Sequence, residues 1–596
     1  YSFIYKKNTE GIKLPIIPCE NTGESYLRTR KGGAITVSRQ VLIKAAKEMD
    51  ELISSVAGCS ERNNWFESMN NLLIKGINKS NVLDGSEIII DKICNVVGMV
   101  GAGKSTFMKV ATYWAVKNGY RTVMVLDSVA EVLKTVRFYE RLGINAVPLL
   151  GRYSRNEQLN KAIEWDSMYL EQEYSKHLTA VCPLDGLRTD ANDRAFDYGE
   201  EPCYSLLKCE GDKTSNSTYI CPIYYSCPAM RNERALGRAD LVVTTPAGLI
   251  YGRSPYPIIG EKLKFIEQAM KDFDIVIFDE ADRTQAIFDA EFCPTSSLDE
   301  LLRENAELTK EYMEAAGQRL ELSKEERNFQ DQVMWLPNIC DVVKELINHN
   351  KIISEWERIG KGSSFSAMVL IEKDSSIPDA IKEDLKKYYE GDESEGLSTI
   401  LSKIESSADE FKHDGLIREW IERNEAVSSE CFIKIKFILN LIVLENRLRY
   451  ISDYGTAADI ERTSGRQLSG FLRNRFRKLQ DYLPASAAGN IFGFVYDKEK
   501  GDIKIFRQYA FGRALMLCLP YLLMDEAKHS IGPNVLLLSG TSWAKGSYKY
   551  HIWADVNYIL EADPKVRDTI EKTKVIKLET VTRVSGSASQ RSNMLK

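Results

Sequence analysis

Gly98-Met99-Val100-Gly101-Ala102-Gly103-Lys104-Ser105-Thr106 is the stretch that decides how this chain folds. Gly98 and Gly103 bracket four residues and lead into a lysine and a hydroxyl side chain, the full pattern of a phosphate-binding loop. The glycines let successive backbone N–H groups turn inward around phosphate oxygens. The helix that follows points its positive end at the same oxygens. Lys104 is spaced to pair with the β- and γ-phosphates, and the Ser105 hydroxyl to hold Mg²⁺. Gly98, Gly101, Ala102, Gly103, Lys104, Ser105 and Thr106 are therefore the expected nucleotide contacts, with ATP and Mg²⁺ as cofactors.

Both flanks of the loop carry the context that the motif needs. Cys94–Val97 reads as a buried strand, and the helix after the loop places Phe107, Val110, Ala111, Trp114 and Ala115 on one face before Gly119 stops it. Thr122–Leu126 is the next strand, and Val129–Leu142 the next helix, with Val132, Leu133, Val136 and Tyr139 at helical spacing. Leu241–Val243, Ile275–Phe278 and Val535–Leu538 are further short apolar strands. Such strands alternating with amphipathic helices predict an α/β fold, a RecA-like parallel sheet of the P-loop NTPase kind covered on both faces.

Asp274-Ile-Val-Ile-Phe-Asp279-Glu280-Ala281-Asp282 supplies the partner to the loop. An apolar strand delivers Asp279 to its carboxyl end, where open α/β sheets bind their ligands. Asp279 is expected in the Mg²⁺ shell, and Glu280 is expected to polarise the attacking water. With Lys104 they form the expected catalytic set. Taken alone, an apolar run ending in two acids is a common structural pattern; beside a complete phosphate loop it reads as chemistry.

A compact core does not need the long stretch between Lys104 and Asp279, so something is inserted there. The regular pattern breaks near Gly151 and resumes at Asp240, and five of the chain's 12 cysteines fall within Cys182–Cys227. No signal peptide precedes them, and clustered thiols in a reducing compartment suggest a metal site more than disulfides. Cys182-Pro183, Pro202-Cys203, Cys221-Pro222 and Cys227-Pro228 each adjoin proline, which fixes the local turn, whereas Cys209 does not. Cys182, Cys203, Cys221 and Cys227 are the expected ligands, with Cys209 as the spare or substitute. A Cys-Pro step recurs in iron–sulfur runs. A structural zinc and unliganded thiols are the alternatives. The resulting division is 1–86 as an N-terminal region; 87–150, 240–295 and 484–545 as parts of one α/β domain; 151–239 as a cysteine-rich insertion; 296–483 as a long helical insertion; and 546–596 as the start of a C-terminal region.

Bulk properties narrow the class. At 596 residues the chain exceeds a single core. Its 44% hydrophobic and 28% charged content is that of a folded globular protein, and a net charge of −6 argues against one that coats nucleic acid while leaving room for a local basic groove. No apolar run is long enough for a membrane span, and Phe437–Leu444 reads as a buried helix, so a cytoplasmic protein, in the bacterial cytoplasm or nucleoid, is expected. The opening at Tyr1 without methionine suggests a fragment of a longer protein.

In motif order the sequence resembles the XPD/DinG-type iron–sulfur helicases of superfamily 2. Gly151-Arg152-Tyr153 is similar to a Gly-Arg step upstream of that family's cluster, and Cys227-Pro228 leads through Arg234 into Ala239–Val243 as the family's last cluster cysteine leads into its next strand. Asp279-Glu280-Ala281-Asp282 stands at motif II, a helical insertion follows in the place of the arch domain, and Ser539-Gly540-Thr541 looks like motif III. Over roughly Glu87–Trp543 the resemblance implies a motor domain that hydrolyses ATP to move on single-stranded or forked DNA. It also implies a 4Fe–4S cluster, and coupling through Ser539 and Thr541. Gln40 would read adenine. Three features depart from the family: Asp282 stands where histidine is usual, Gly540 where alanine is usual, and the cysteine spacings are unusual. No Gln-x-x-Gly-Arg-x-x-Arg pattern follows Trp543, so the second motor domain of the family is expected to be absent, truncated or supplied by another chain.

Arg466, Arg473, Arg475, Arg477 and Lys478 interleave with Phe471 and Phe476, which suits a strand-tracking surface and equally a solvated helix face. A rival reading from another class is a P-loop switch or scaffold that uses ATP to control protein partners through a zinc-binding interaction module.

Overall fold

The computed structural model describes residues 30–56, 64–78, 81–164, 167–184, 213–260, 263–303, 324–390, 395–406, 410–424, 426–457, 491–508, 512–522, 532–545, 550–562 and 564–572, with shorter pieces between them. The chain divides into two compact units, Tyr1–Asp282 with Pro533–Lys596, and Arg283–Gly532.

The first unit is built on a nine-stranded, mostly parallel sheet. From one edge its strands are Ala146–Leu149, Leu241–Thr244, Thr122–Val125, Ile275–Phe278, Asn534–Ser539, Ile93–Gly98, Val556–Glu561, Leu73–Asn78 and Asn81–Asp84. The first seven run parallel; the last two join antiparallel. Five of the parallel strands are buried at every position, among them Thr122–Val125 and Ile275–Phe278. That is why they read as unbroken apolar runs rather than alternating ones: helices cover both faces. Full burial of each such side chain contributes about 1.5–3 kcal/mol. Phe107, Val110 and Ala111 of the Lys104–Lys117 helix and Val132, Leu133, Val136 and Tyr139 of the Val129–Arg141 helix pack into the same core. Ser128 caps the second helix by accepting from the Glu131 N–H.

The sheet extends beyond the strands expected from the sequence. Leu73–Asn78 and Asn81–Asp84 come from within residues 1–86, and Val556–Glu561 from within 546–596. A buried Arg121–Asp272 ion pair sits where strands begin, with the Arg121 Nε donating to the Ala239 carbonyl at 2.8 Å. Asp274 accepts the backbone N–H of Arg121 at 2.8 Å and that of Lys31 at 2.7 Å.

The second unit is mainly helical. Ser429–Ala457 is apolar on every side over Phe437–Leu444, as the sequence led us to expect of a buried helix, and packs with Leu336, Val343 and Ile347 of the Lys324–His349 helix. Thr295–Ser297, Asp502–Gln508 and Ile491–Asp497 form a three-stranded antiparallel sheet of its own. Ile491–Gln508, which the sequence division assigned to the α/β domain, therefore forms a hairpin of this small sheet and not a part of the large one. The structural division falls at Asp282 and Pro533, where the sequence suggested 296–483 for the insertion and 484–545 for the returning α/β domain.

Candidate functional site

Three adjacent strands of the large sheet, Ile275–Phe278, Asn534–Ser539 and Ile93–Gly98, end side by side. Their carboxyl ends carry Asp279-Glu280, Ser539-Gly540-Thr541 and the Gly98–Ser105 loop respectively. The order follows from pairing registers, Ile275 with Asn534 and Val535 with Ile93, which bring together residues distant in the chain.

The loop itself turns at Gly101 and Gly103, whose φ angles of 80° and 87° lie in the left-handed region that only glycine occupies freely. Lys104 begins the helix and its ammonium donates to the Gly98 carbonyl at 2.8 Å. Ser105 is exposed at the helix start, while Ala102 and Thr106 are buried. Gly540 lies close above: a methyl group added to it would come within 3.2 Å of the Lys104 ammonium. Glycine in that position leaves the lysine room to move.

Asp279 is half-buried, and its carboxyl is pushed up to about 6, first by burial and then by the neighbouring Glu280 charge, while Lys104 pulls the other way. A cation brought to this carboxylate would relieve both penalties. Glu280 has φ 44°, a left-handed backbone that a non-glycine residue adopts at a cost of about 1–3 kcal/mol and that clusters at functional sites. Its N–H donates to Asp279 Oδ1 at 3.1 Å. Asp282, one turn on and buried, accepts from the Ser539 hydroxyl at 2.6 Å and from the Thr541 hydroxyl. Two carboxylate oxygens thus hold two hydroxyls of the adjacent strand's exit.

Cys182, Cys203, Cys221 and Cys227 line one small cavity with Arg152, Tyr224 and Met230. The backbone closes it: Cys221 N–H donates to Cys203 carbonyl at 2.8 Å, and Arg234 donates to the Tyr224 and Cys227 carbonyls at 2.6 and 2.7 Å. Arg152 donates to Cys203 Sγ at 3.1 Å and pairs with Glu201 at 2.5 Å. Burial raises the Cys203 thiol to about 11, against the pull of Arg152, and raises Cys221 as well. Among the described residues no three His, Cys, Asp or Glu side chains converge closely enough to hold a single ion. The four thiols surround a shared space. Tyr224 is wholly buried and packs this region, whereas Tyr225 is half exposed. The side chain of Cys209 and the basic stretch from Arg466 to Lys478 lie outside the described residues. Gln40 is exposed in the first turn of the Arg39–Ser55 helix.

Sequence reasoning did not find the grip of Asp282 on Ser539 and Thr541, nor the contact of Arg152 with Cys203. The first had a signal in the departure from histidine at Asp282, since a carboxylate can accept from two hydroxyls at once whereas a neutral imidazole has a single acceptor nitrogen. No helix among the described residues is long and apolar enough to cross a membrane.

No protein-family model matches the chain, and no curated protein matches it. Among solved structures, a chain described as an XPD helicase is distantly similar at 11% identity, with a TM-score of 0.27, over 89% of this chain and 63% of that one. The chain thus spans less than two thirds of the length of that helicase.

Proposed function

We propose that the first unit is the ATP-hydrolysing domain of a superfamily 2 helicase or translocase with a RecA-like core, acting on single-stranded DNA. The observation that carries this reading is the adjacency of three strand ends, with Ser539 and Thr541 between the phosphate loop and the acids and bonded to Asp282.

In this reading the N–H groups from Gly101 to Ser105 cradle the phosphates of ATP. Lys104 leaves the Gly98 carbonyl to pair with the β- and γ-phosphates, and the space beside Gly540 admits that movement. Ser105 and Asp279 would hold Mg²⁺, which would supply charge neutralisation to the phosphates when bound. Glu280, held in its strained backbone beside Asp279, orients the water that attacks. As the acids adjust to the loss of the terminal phosphate, Asp282 passes the change to Ser539 and Thr541. Their strand exit then moves, and hydrolysis is linked to movement on DNA.

We take Cys182, Cys203, Cys221 and Cys227 as the residues that would hold a four-thiolate iron–sulfur cluster; the reading is supported by their lining one cavity and by the Arg152 donor at Cys203. When bound, such a cluster would cross-link a segment otherwise held by one small apolar core around Tyr224 and Met230.

The test is steady-state ATPase of the protein with and without single-stranded DNA. Stimulation that disappears in Lys104→Ala is the expected result. ATP turnover indifferent to DNA, or hydrolysis that survives Lys104→Ala, rejects the reading.

A further inference from the structure

The crossover from Asn534–Ser539 to Val556–Glu561 holds a built cavity that the nucleotide chemistry does not use. Ser542 is buried directly after Thr541, and its carbonyl accepts the Ile552 N–H at 2.8 Å, which closes the segment on itself. Asn95, wholly buried on the phosphate-loop strand, braces both sides of that closure. It accepts from the Ser542 hydroxyl at 3.4 Å and donates to the Ala554 carbonyl at 3.2 Å. Just outside these anchors stand Trp543, 48% exposed, and Trp553, 72% exposed. His551 is buried between them, edge-on to both, with ring centres 5.3 Å and 4.8 Å away. Its Nδ1 accepts the Ala544 N–H at 3.3 Å, which fixes the ring. The Lys545 ammonium lies 5.1 Å from the Trp543 ring centre. With Ser547, Ala554 and Asp555 these residues line a cavity of about 570 Å³, within the ~300–1,000 Å³ range of small-ligand sites.

Leaving two indoles in water forgoes roughly 1.5–3 kcal/mol each that burial would supply. Here the residues next to them, Ser542 and Ala554, are anchored by the buried Asn95, and His551 packs edge-on to both rings, so their exposure follows from the fold of the segment. We infer that this cavity is a stacking site for bases of single-stranded nucleic acid, an inference that rests on the motor reading above. Indole faces take any base by stacking, at about 1–3 kcal/mol each. Lys545 supplies a cation for the adjoining phosphate, and Ser547 and Asp555 offer acceptors for base amino groups.

The lining favours a strand over a free nucleotide. The cavity lining carries one lysine and one aspartate, a poor match for a triphosphate, and the rings are open rather than enclosed, so a continuous chain can pass over them. Position gives the site its purpose. One short segment runs from Gly540, beside Lys104, through Thr541, bonded to Asp282, to Trp543. A base stacked on Trp543 is thereby tied to the acids that respond to hydrolysis.

The test titrates the whole protein with the oligonucleotide dT12 and follows tryptophan fluorescence and affinity at fixed salt. Quenching by dT12 is expected, with Trp553→Ala weakening binding ~5- to 100-fold and Trp553→Phe restoring it to within a few-fold of wild type. Melting temperatures establish that both variants are folded. Binding of dT12 by folded Trp553→Ala and Trp543→Ala within twofold of wild type overturns the inference, as does quenching by free ATP but not by dT12. The two readings fail separately. DNA-stimulated ATPase that is unchanged in both tryptophan variants leaves the motor and removes the stacking site. Quenching that depends on Trp553 without any ATPase stimulation leaves the stacking site and removes the motor. Absence of both removes both.

Discussion

The Ser539 hydroxyl donates to the buried Asp282 carboxylate at 2.6 Å, across 257 positions of sequence. Thr541 donates to the other oxygen of the same group. A hydrogen bond to a charged group contributes about 1.5–3 kcal/mol, so this pair of bonds is strong enough to make the acid segment and the neighbouring strand exit move as one. Asp282→Ala removes the shared acceptor of the buried Ser539 hydroxyl and the exposed Thr541 hydroxyl. We expect nucleotide affinity to change little and DNA-stimulated turnover to fall ~10- to 100-fold, as loss of that much coupling free energy implies. Equilibrium ATP binding and stimulated ATPase, measured on the same sample, separate the two effects. A variant that retains full stimulation would show that the contact is structural only.

Lys104→Ala and Glu280→Gln should differ in kind. The first removes the cation that neutralises the transferring phosphoryl group, and ATP hydrolysis should vanish while the fold persists. The second keeps the side-chain shape and backbone of Glu280 but not its charge, so ATP should bind and persist uncleaved. Filter retention of labelled ATP beside a turnover assay reads both. A Glu280→Gln protein with wild-type turnover would remove that residue from its role.

Purified without oxygen, the protein should be brown, with broad visible absorbance from a cluster held by four thiolates. Cys221→Ser or Cys227→Ser should bleach it, and Cys209→Ser should not. Arg152→Gln, which takes away the donor to Cys203, should leave the colour initially but hasten its loss in air. Iron and labile sulfide analysis checks the assignment; one zinc per chain without iron would replace it with a structural zinc site.

Glu445 lies in the core of the helical unit, accepting from the Ala367 N–H at 3.0 Å and the Tyr389 hydroxyl at 3.1 Å. Burial, the largest influence, pushes its carboxyl from 4.5 up to about 7 despite those two donors. Because the folded value exceeds the unfolded one, the contribution of this group is full below about 4.5 and is lost as pH rises through about 7. Glu445→Gln has no such loss and should be more stable than wild type at pH 8 by on the order of 2 kcal/mol, the difference shrinking towards pH 5. Urea denaturation at a series of pH values measures it. An unchanged difference across that range would mean that Glu445 does not titrate there.

By itself the sequence determined the local elements of the α/β unit. Fully buried parallel strands must be short apolar runs, so Thr122–Val125, Leu241–Thr244, Ile275–Phe278 and Asn534–Ser539 were legible to within a residue or two. The turns at Gly101 and Gly103 were legible because left-handed φ angles are a demand written in residue type. That Cys182, Cys203, Cys221 and Cys227 line one cavity follows from how the segment folds. Strand order was decided only in three dimensions. Whether Asn534–Ser539 lies beside Ile93–Gly98 or elsewhere depends on backbone pairing between distant segments, for which no residue pattern in either strand is specific. The same holds for Val556–Glu561 and Leu73–Asn78, which extend the sheet beyond Ile93–Gly98, and for the Ile491–Gln508 hairpin that formed its own sheet. The grip of Asp282 on Ser539 and the bonds of Asn95 to Ser542 and Ala554 exist only because that order brings those positions together. Local chemistry is set by each residue's own backbone and side-chain preferences, whereas contacts across hundreds of residues are set by which surfaces the whole chain can bury at once.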